Sequence, residues 1–201
     1  MRAVLLIGLA LTASACVIRD ASVQLTAPPQ SSGAWKIKQR IDRISGEPAP
    51  VAFIITSRTT YTRTSNLYAA GLELACFNKR PVVRLVFGFR IGSNKNSNVA
   101  YRFDDRSGRD AEATILPDYK TILIDDKTEV ARFLDELASS SLLLVRVNSL
   151  FAGRSTAEFR VHGAPPAIEA ITAGCPLPNA PKRAAARAGR GAYAISALSA
   201  N

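Results

Sequence analysis

One histidine, three cysteines and two adjacent acid pairs are the residues of this chain most able to react or to ligate. A catalytic zinc needs several His, Cys or carboxylate ligands converging on one ion. His162 is the single imidazole, so neither a metal nor another cofactor is expected. A Ser–His–Asp nucleophile would also have to use His162, and no Gly-x-Ser-x-Gly elbow occurs. "GFRIGS" has neither the glycine spacing of a phosphate loop nor a helix pattern after it. The acid pairs are Asp104-Asp105 and Asp125-Asp126. Adjacent residues on a strand point to opposite faces, which is poor geometry for two carboxylates flanking one glycosidic bond. Asp104-Asp105, followed by Arg106 and Gly108, reads as a turn. Asp125-Asp126 reads as a helix start, where the helix dipole favours negative charge. His162, directly before Gly163, reads as a structural or exposed residue at a strand end. No catalytic residue is expected.

The cysteines lead to the start of the chain. Met1-Arg2 precedes an uncharged run from Ala3 to Ala13. The run is shorter than the roughly 20 apolar residues that cross a bilayer. A basic start, a short apolar stretch and Ala13-Ser14-Ala15 are the parts of an export signal, expected over residues 1–15. Two cuts fit. Ordinary cleavage leaves Cys16 as a free thiol, whereas Ser14-Ala15-Cys16 also matches a bacterial lipobox, in which Cys16 is acylated. Three cysteines in an exported chain leave one over. Lipid on Cys16 uses it and leaves Cys76 and Cys175 as a disulfide pair in an oxidising compartment. The favoured location is the periplasmic side of the outer membrane, since Val17 rather than Asp follows the cysteine. A soluble periplasmic form is the alternative.

The formal charge is +10. Arg2 leaves with the signal, and Lys182, Arg183, Arg187 and Arg190 lie in the tail, so the domain itself carries about +5. Outside the cytosol such a balance suits anionic head groups and cell-wall polymers, not a specific nucleic acid. Arg102, Arg146 and Arg160 stand in strand-like stretches between apolar neighbours. They could line one sheet face as a surface for carboxylates or sugars, or simply be a solvated outer face.

The elements that would position these residues follow from hydrophobic period. "VIRDASVQLTAPPQSSG" is small and polar and is expected, with Cys16, to form the anchor and flexible tether over residues 16–33. One β-rich domain is expected over residues 34–176. "WKIKQRI" and "GLELACF" alternate as half-buried strands, and "VAFIITS" and "VVRLVFGFRI" read as strands within the core. "RTTYTRTSN" reads as a loop or an exposed strand extension. With "NKRP" as a turn, "GSNKNSN" as a hairpin loop and "VAYRFDD" as a returning strand, residues 35–103 read as an antiparallel meander. "YKTILID" is a short strand. In "DDKTEVARFLDELASS", Val130, Phe133, Leu134 and Leu137 share one helix face, and Asp126 with Glu129 starts it. "SLLLVRVNSL" and "STAEFRVHG" pair as a hairpin, and "PPAIEAITAG" is a final helix with Pro at its start. Residues 177–201 keep neither period and are expected to be a disordered basic tail. The expected fold is mainly β (α+β): an antiparallel β-sandwich or curled sheet with two short helices packed on it.

Trp35, "VAFIITS", "LELACFNKRPVVRLVFGF", "VAYRFDD", "SLLLVRV", "TAEFRVHG" and the terminal Cys175, in that order, resemble small exported proteins of the type VI secretion-associated VasI/TagO group and its relatives. The resemblance spans about residues 33–176 and implies an envelope accessory role, with no active-site residues to carry over. The expected function is a non-enzymatic, membrane-tethered module that binds a protein or cell-wall partner. The alternatives are an enzyme or enzyme inhibitor acting on peptidoglycan, and a phage- or plasmid-borne surface lipoprotein.

Overall fold

The computed structural model describes residues 20–61, 64–92, 97–149 and 151–177. The residues expected as an export signal, Cys16 and all but Leu177 of the expected basic tail lie outside the described residues. Among the described residues, twelve strands and two helices follow one another: β1 (Val23–Leu25), β2 (Gln30–Ser32), β3 (Trp35–Lys38), β4 (Arg40–Asp42), β5 (Val51–Tyr61), β6 (Thr64–Phe77), β7 (Arg80–Phe87), β8 (Ser97–Phe103), β9 (Arg109–Ile115), β10 (Thr121–Ile124), α1 (Lys127–Ala138), β11 (Leu142–Ser149), β12 (Gly153–Arg160) and α2 (Pro165–Gly174).

The expected sandwich or curled sheet is not what forms. Eight antiparallel strands close into a barrel in the order β5-β6-β7-β10-β9-β8-β11-β12, and β12 returns to pair with β5. The physical reason lies in β5, which is long enough for two partners on one edge. Its first half pairs with β3, Ile37 opposite Ala52. Register shifts between Thr56 and Tyr61 then bend it, as bulges do at barrel corners. Beyond them Thr59, Thr60 and Tyr61 pair with Ala157, Thr156 and Ser155. The polar stretch "RTTYTRTSN", expected as a loop or an exposed strand extension, thus supplies the closing seam through Thr59, Thr60 and Tyr61.

The meander expected over residues 35–103 is interrupted as well. β7 pairs with β6 and β10, whereas β8 lies between β9 and β11. Strands β7 to β10 therefore follow a Greek-key order, with the fourth lying beside the first of a hairpin run. β9, which fills this gap, carries an alternating pattern: Ala111, Ala113 and Ile115 are buried between exposed or half-exposed neighbours.

An eight-stranded barrel is just wide enough for its own side chains to fill. Leu72, Leu74, Leu85, Phe103, Ile122 and Val145 are buried in one apolar cluster that also contains Val130, Phe133, Leu134 and Leu137 of α1 and Ala167 and Ile171 of α2. Both helices sit at the end where β6, β8, β10 and β12 finish. The helix start at Asp126 forms as the sequence indicates, with the carboxylate accepting from Glu129 N–H at 2.9 Å. The Phe133 ring meets Tyr101 and Phe103 edge to face at 5.2 and 5.0 Å, an arrangement aromatic pairs favour.

The stretch expected as tether contains β1 and β2, which pair with β4 and β3. Trp35 is fully buried at the start of β3, and its indole N–H donates to Val161 O at 3.0 Å. That bond fixes the β2–β3 turn against the end of β12. Gly33 and Gly163, both at positive φ, face each other there. The "NKRP" turn is present: Asn78 and Lys79 both adopt positive φ between β6 and β7, as two-residue hairpins require.

Candidate functional site

One member of each acid pair holds the fold. Asp104 accepts from the backbone N–H of Leu142 at 2.8 Å and of Ser141 at 3.1 Å, so it ties the end of β8 to the start of β11. Burial alone would raise its pKa, but the hydrogen bonds from Leu142, Ser141 and Ser140 outweigh that and hold it below the ordinary carboxylate value. Asp126 caps α1. His162 is exposed beside Gly33. Tyr101 donates to Glu129 of α1 at 2.5 Å, and burial first, then that acceptor, raise its pKa.

Cys76, at the end of β6, and Cys175, just after α2, are joined by a disulfide with Cα atoms 5.7 Å apart, within the usual range for such bonds. Gly174 packs on Pro50 and Pro48 beside it, so the bond staples the end of α2 to the barrel. Cys16 lies outside the described residues.

The three arginines singled out from the sequence come to one wall of the barrel. Tyr101 and Phe103 turn inward and leave Arg102 exposed between them, and Val145 and Val147 do the same for Arg146. Strand register then places them. Arg102 stands opposite Leu144, and Arg146 stands opposite Ala100 on one side and Thr156 on the other. Arg160 stands opposite Leu142 on the same outer wall. An open groove of about 560 Å³ runs over β8, β11 and β12, with Ala100, Leu144, Arg102, Arg146, Arg154 and Thr156 in its lining. Arg160 lies beside this groove and does not line it.

Two residues of the site are absent from the sequence reading. Arg154 and Thr156 belong to β12, and its register with β11 sets Arg154 opposite Asn148 and Thr156 opposite Arg146. Alternation from the buried Ala157 and Phe159 could have found both. The acid of this wall, Glu158, accepts from Arg58 of β5 at 2.7 Å. Beyond β8, Asp110 and Glu112 of β9 stand opposite Ala100 and Asn98, so the groove has an acidic border on one side. Arg102 and Arg146 form no ion pair among the described residues. Chemically, the groove offers paired guanidinium forks, which match carboxylates and phosphates.

Comparison with family models and with curated proteins finds no match. Among solved structures, the chain is similar to invasion associated protein B from Bartonella henselae, with 14% identity and a TM-score of 0.47 over 73% of this chain and 97% of that one.

Proposed function

We propose that this protein is an exported, non-enzymatic binding module, tethered to the periplasmic side of the outer membrane by lipid on Cys16, that engages a protein or cell-wall partner in the envelope. The Cys76–Cys175 bond is the observation that carries this reading. Pairs of this kind persist in oxidising compartments and are rare in the cytosol. The resemblance to the VasI/TagO group adds an envelope accessory role, linked to secretion. The arginine groove supplies a surface on which a partner could be held.

Cell fractionation with mass spectrometry tests the reading. The wild-type protein is expected in the membrane fraction with an acylated N-terminal Cys16, and Cys16→Ser is expected to release it into the soluble periplasm. A wild type recovered in the cytosol with free thiols at Cys76 and Cys175 overturns the proposal. A soluble periplasmic wild type overturns the lipid anchor alone.

A further inference from the structure

We propose that the groove over β8, β11 and β12 binds an extended acidic peptide segment, in which carboxylates at alternate residues meet Arg102 and Arg146 in turn. This names the partner chemistry of the binding module proposed above, and rests on that reading only in taking this wall to be the working face.

The inference begins from strand register. Arg146 stands opposite Ala100, and Arg102 lies two residues along β8 from that position. The two arginines are therefore diagonal neighbours, whose Cβ atoms lie about 7–8 Å apart. Arg154 stands opposite Asn148, two residues along β11 from Arg146 in the opposite sense. Arg102, Arg146 and Arg154 thus fall on one straight diagonal across three strands. In an extended peptide, side chains on the same face recur every two residues, about 6.6–6.8 Å apart. Carboxylates at alternate residues match the arginine spacing, whereas carboxylates on adjacent residues would point to opposite sides.

Charge and shape select the same occupant. Glu158 is the acid nearest the track on β12, and its pairing with Arg58 removes it as a competitor for Arg102 and Arg146. Asp110 and Glu112 border the groove on β9. Like charge there repels an acidic ligand from β9 and confines it to the diagonal over β8, β11 and β12. Ala100 and Leu144 between the arginines give a low apolar floor. A concave track on the convex wall of a barrel suits a single extended chain, not a plane of lipid head groups.

The test compares two octapeptides of the same composition by titration against the full mature protein: (Ser-Glu)₄ and the block isomer Ser₄Glu₄. The alternating peptide is expected to bind more tightly. Arg102→Gln and Arg146→Gln are each expected to weaken it about tenfold, and Arg80→Gln, on the exposed start of β7, is expected to leave it unchanged. The arginines are exposed, and equal melting temperatures establish that the variants fold. Equal affinity for the two isomers overturns the proposal, as does affinity untouched by Arg102→Gln and Arg146→Gln. Tighter binding to inorganic polyphosphate or to phosphatidylglycerol vesicles than to (Ser-Glu)₄ also overturns it, in favour of a phosphate ligand or a membrane. Fractionation separates this outcome from the location: a cytosolic protein that binds (Ser-Glu)₄ refutes the envelope module and keeps the groove, and an exported protein that ignores it does the reverse.

Discussion

Replacing Cys76 and Cys175 together with alanine isolates the contribution of the bond that closes the domain. The two residues are separated by 99 positions. The chain-entropy model assigns about 4.7 kcal/mol to a loop of about 100 residues, by restricting the unfolded chain. The folded side changes little, because Ala167 and Ile171 still bury α2 in the core and Gly174 still packs on Pro50. For a domain of this size each kcal/mol moves the melting temperature by roughly 2–4 °C, so a drop of roughly 10–20 °C is expected. Calorimetry of the wild type, the double alanine variant and the reduced wild type measures it. The variant and the reduced protein should melt alike, and near-ultraviolet circular dichroism at 20 °C should stay native in both. A drop below about 3 °C refutes closure entropy as the main effect. Loss of native dichroism at 20 °C refutes the claim that the bond acts through the unfolded chain.

Gly163 has φ +83°, and a Cβ there would meet the Ser32 carbonyl oxygen at 3.0 Å. Gly163→Ala should therefore lose about 2–3 kcal/mol in denaturant melts, whereas Gly46→Ala, at φ +73° but in open space, should lose only about 1 kcal/mol; equal losses would show that the contact with Ser32 carries no energy. Asp104 and Asp118 both sit below the ordinary value of 3.8, so the stability they contribute is present above that value and fades as pH falls through their lower folded values. The melting temperature should drop as pH falls from about 5 to about 2, and the drop should be shallower in Asp104→Asn/Asp118→Asn; an equal drop in the variant refutes the assignment.

Elements with a strong period were legible in the sequence, and those with small or polar inward residues were not. The face of α1, its cap at Asp126, the β11–β12 hairpin and α2 all stand where apolar spacing and turn residues put them. Gly88, a glycine inside the strand-like run "VVRLVFGFRI", marks a close approach of two backbones, as such glycines often do: a Cβ there would meet the Ala69 carbonyl oxygen at 2.9 Å. β9 escaped because Ala111 and Ala113 are small enough to be buried without giving an apolar run. Closure of the barrel escaped for a stronger reason. The pairs that close it, Thr59–Ala157 and Thr60–Thr156, are polar or small, and nothing local in "RTTYTRTSN" distinguishes a seam strand from a loop. Strand order is a property of the whole sheet, so period alone could not place β8 beyond β9 and β10.

The same seam decides the character of the candidate site. Arg102, Arg146 and Arg160 were legible one by one, as charges between apolar neighbours on strands, but a groove needs their relative register. Because β5 bends and pairs with β12, Arg58 comes within 2.7 Å of Glu158. That ion pair is solvent-exposed and contributes little to stability. Its consequence is electrostatic: with Glu158 occupied, the wall presents Arg102 and Arg146 to solvent, while the acids of β9 stay to one side. A sandwich of the same strands would leave β5 and β12 apart, and Glu158 would then lie open beside Leu144, diagonal to Arg146. The polar segment that hides the barrel from a reading of the sequence is also the segment that makes the groove basic.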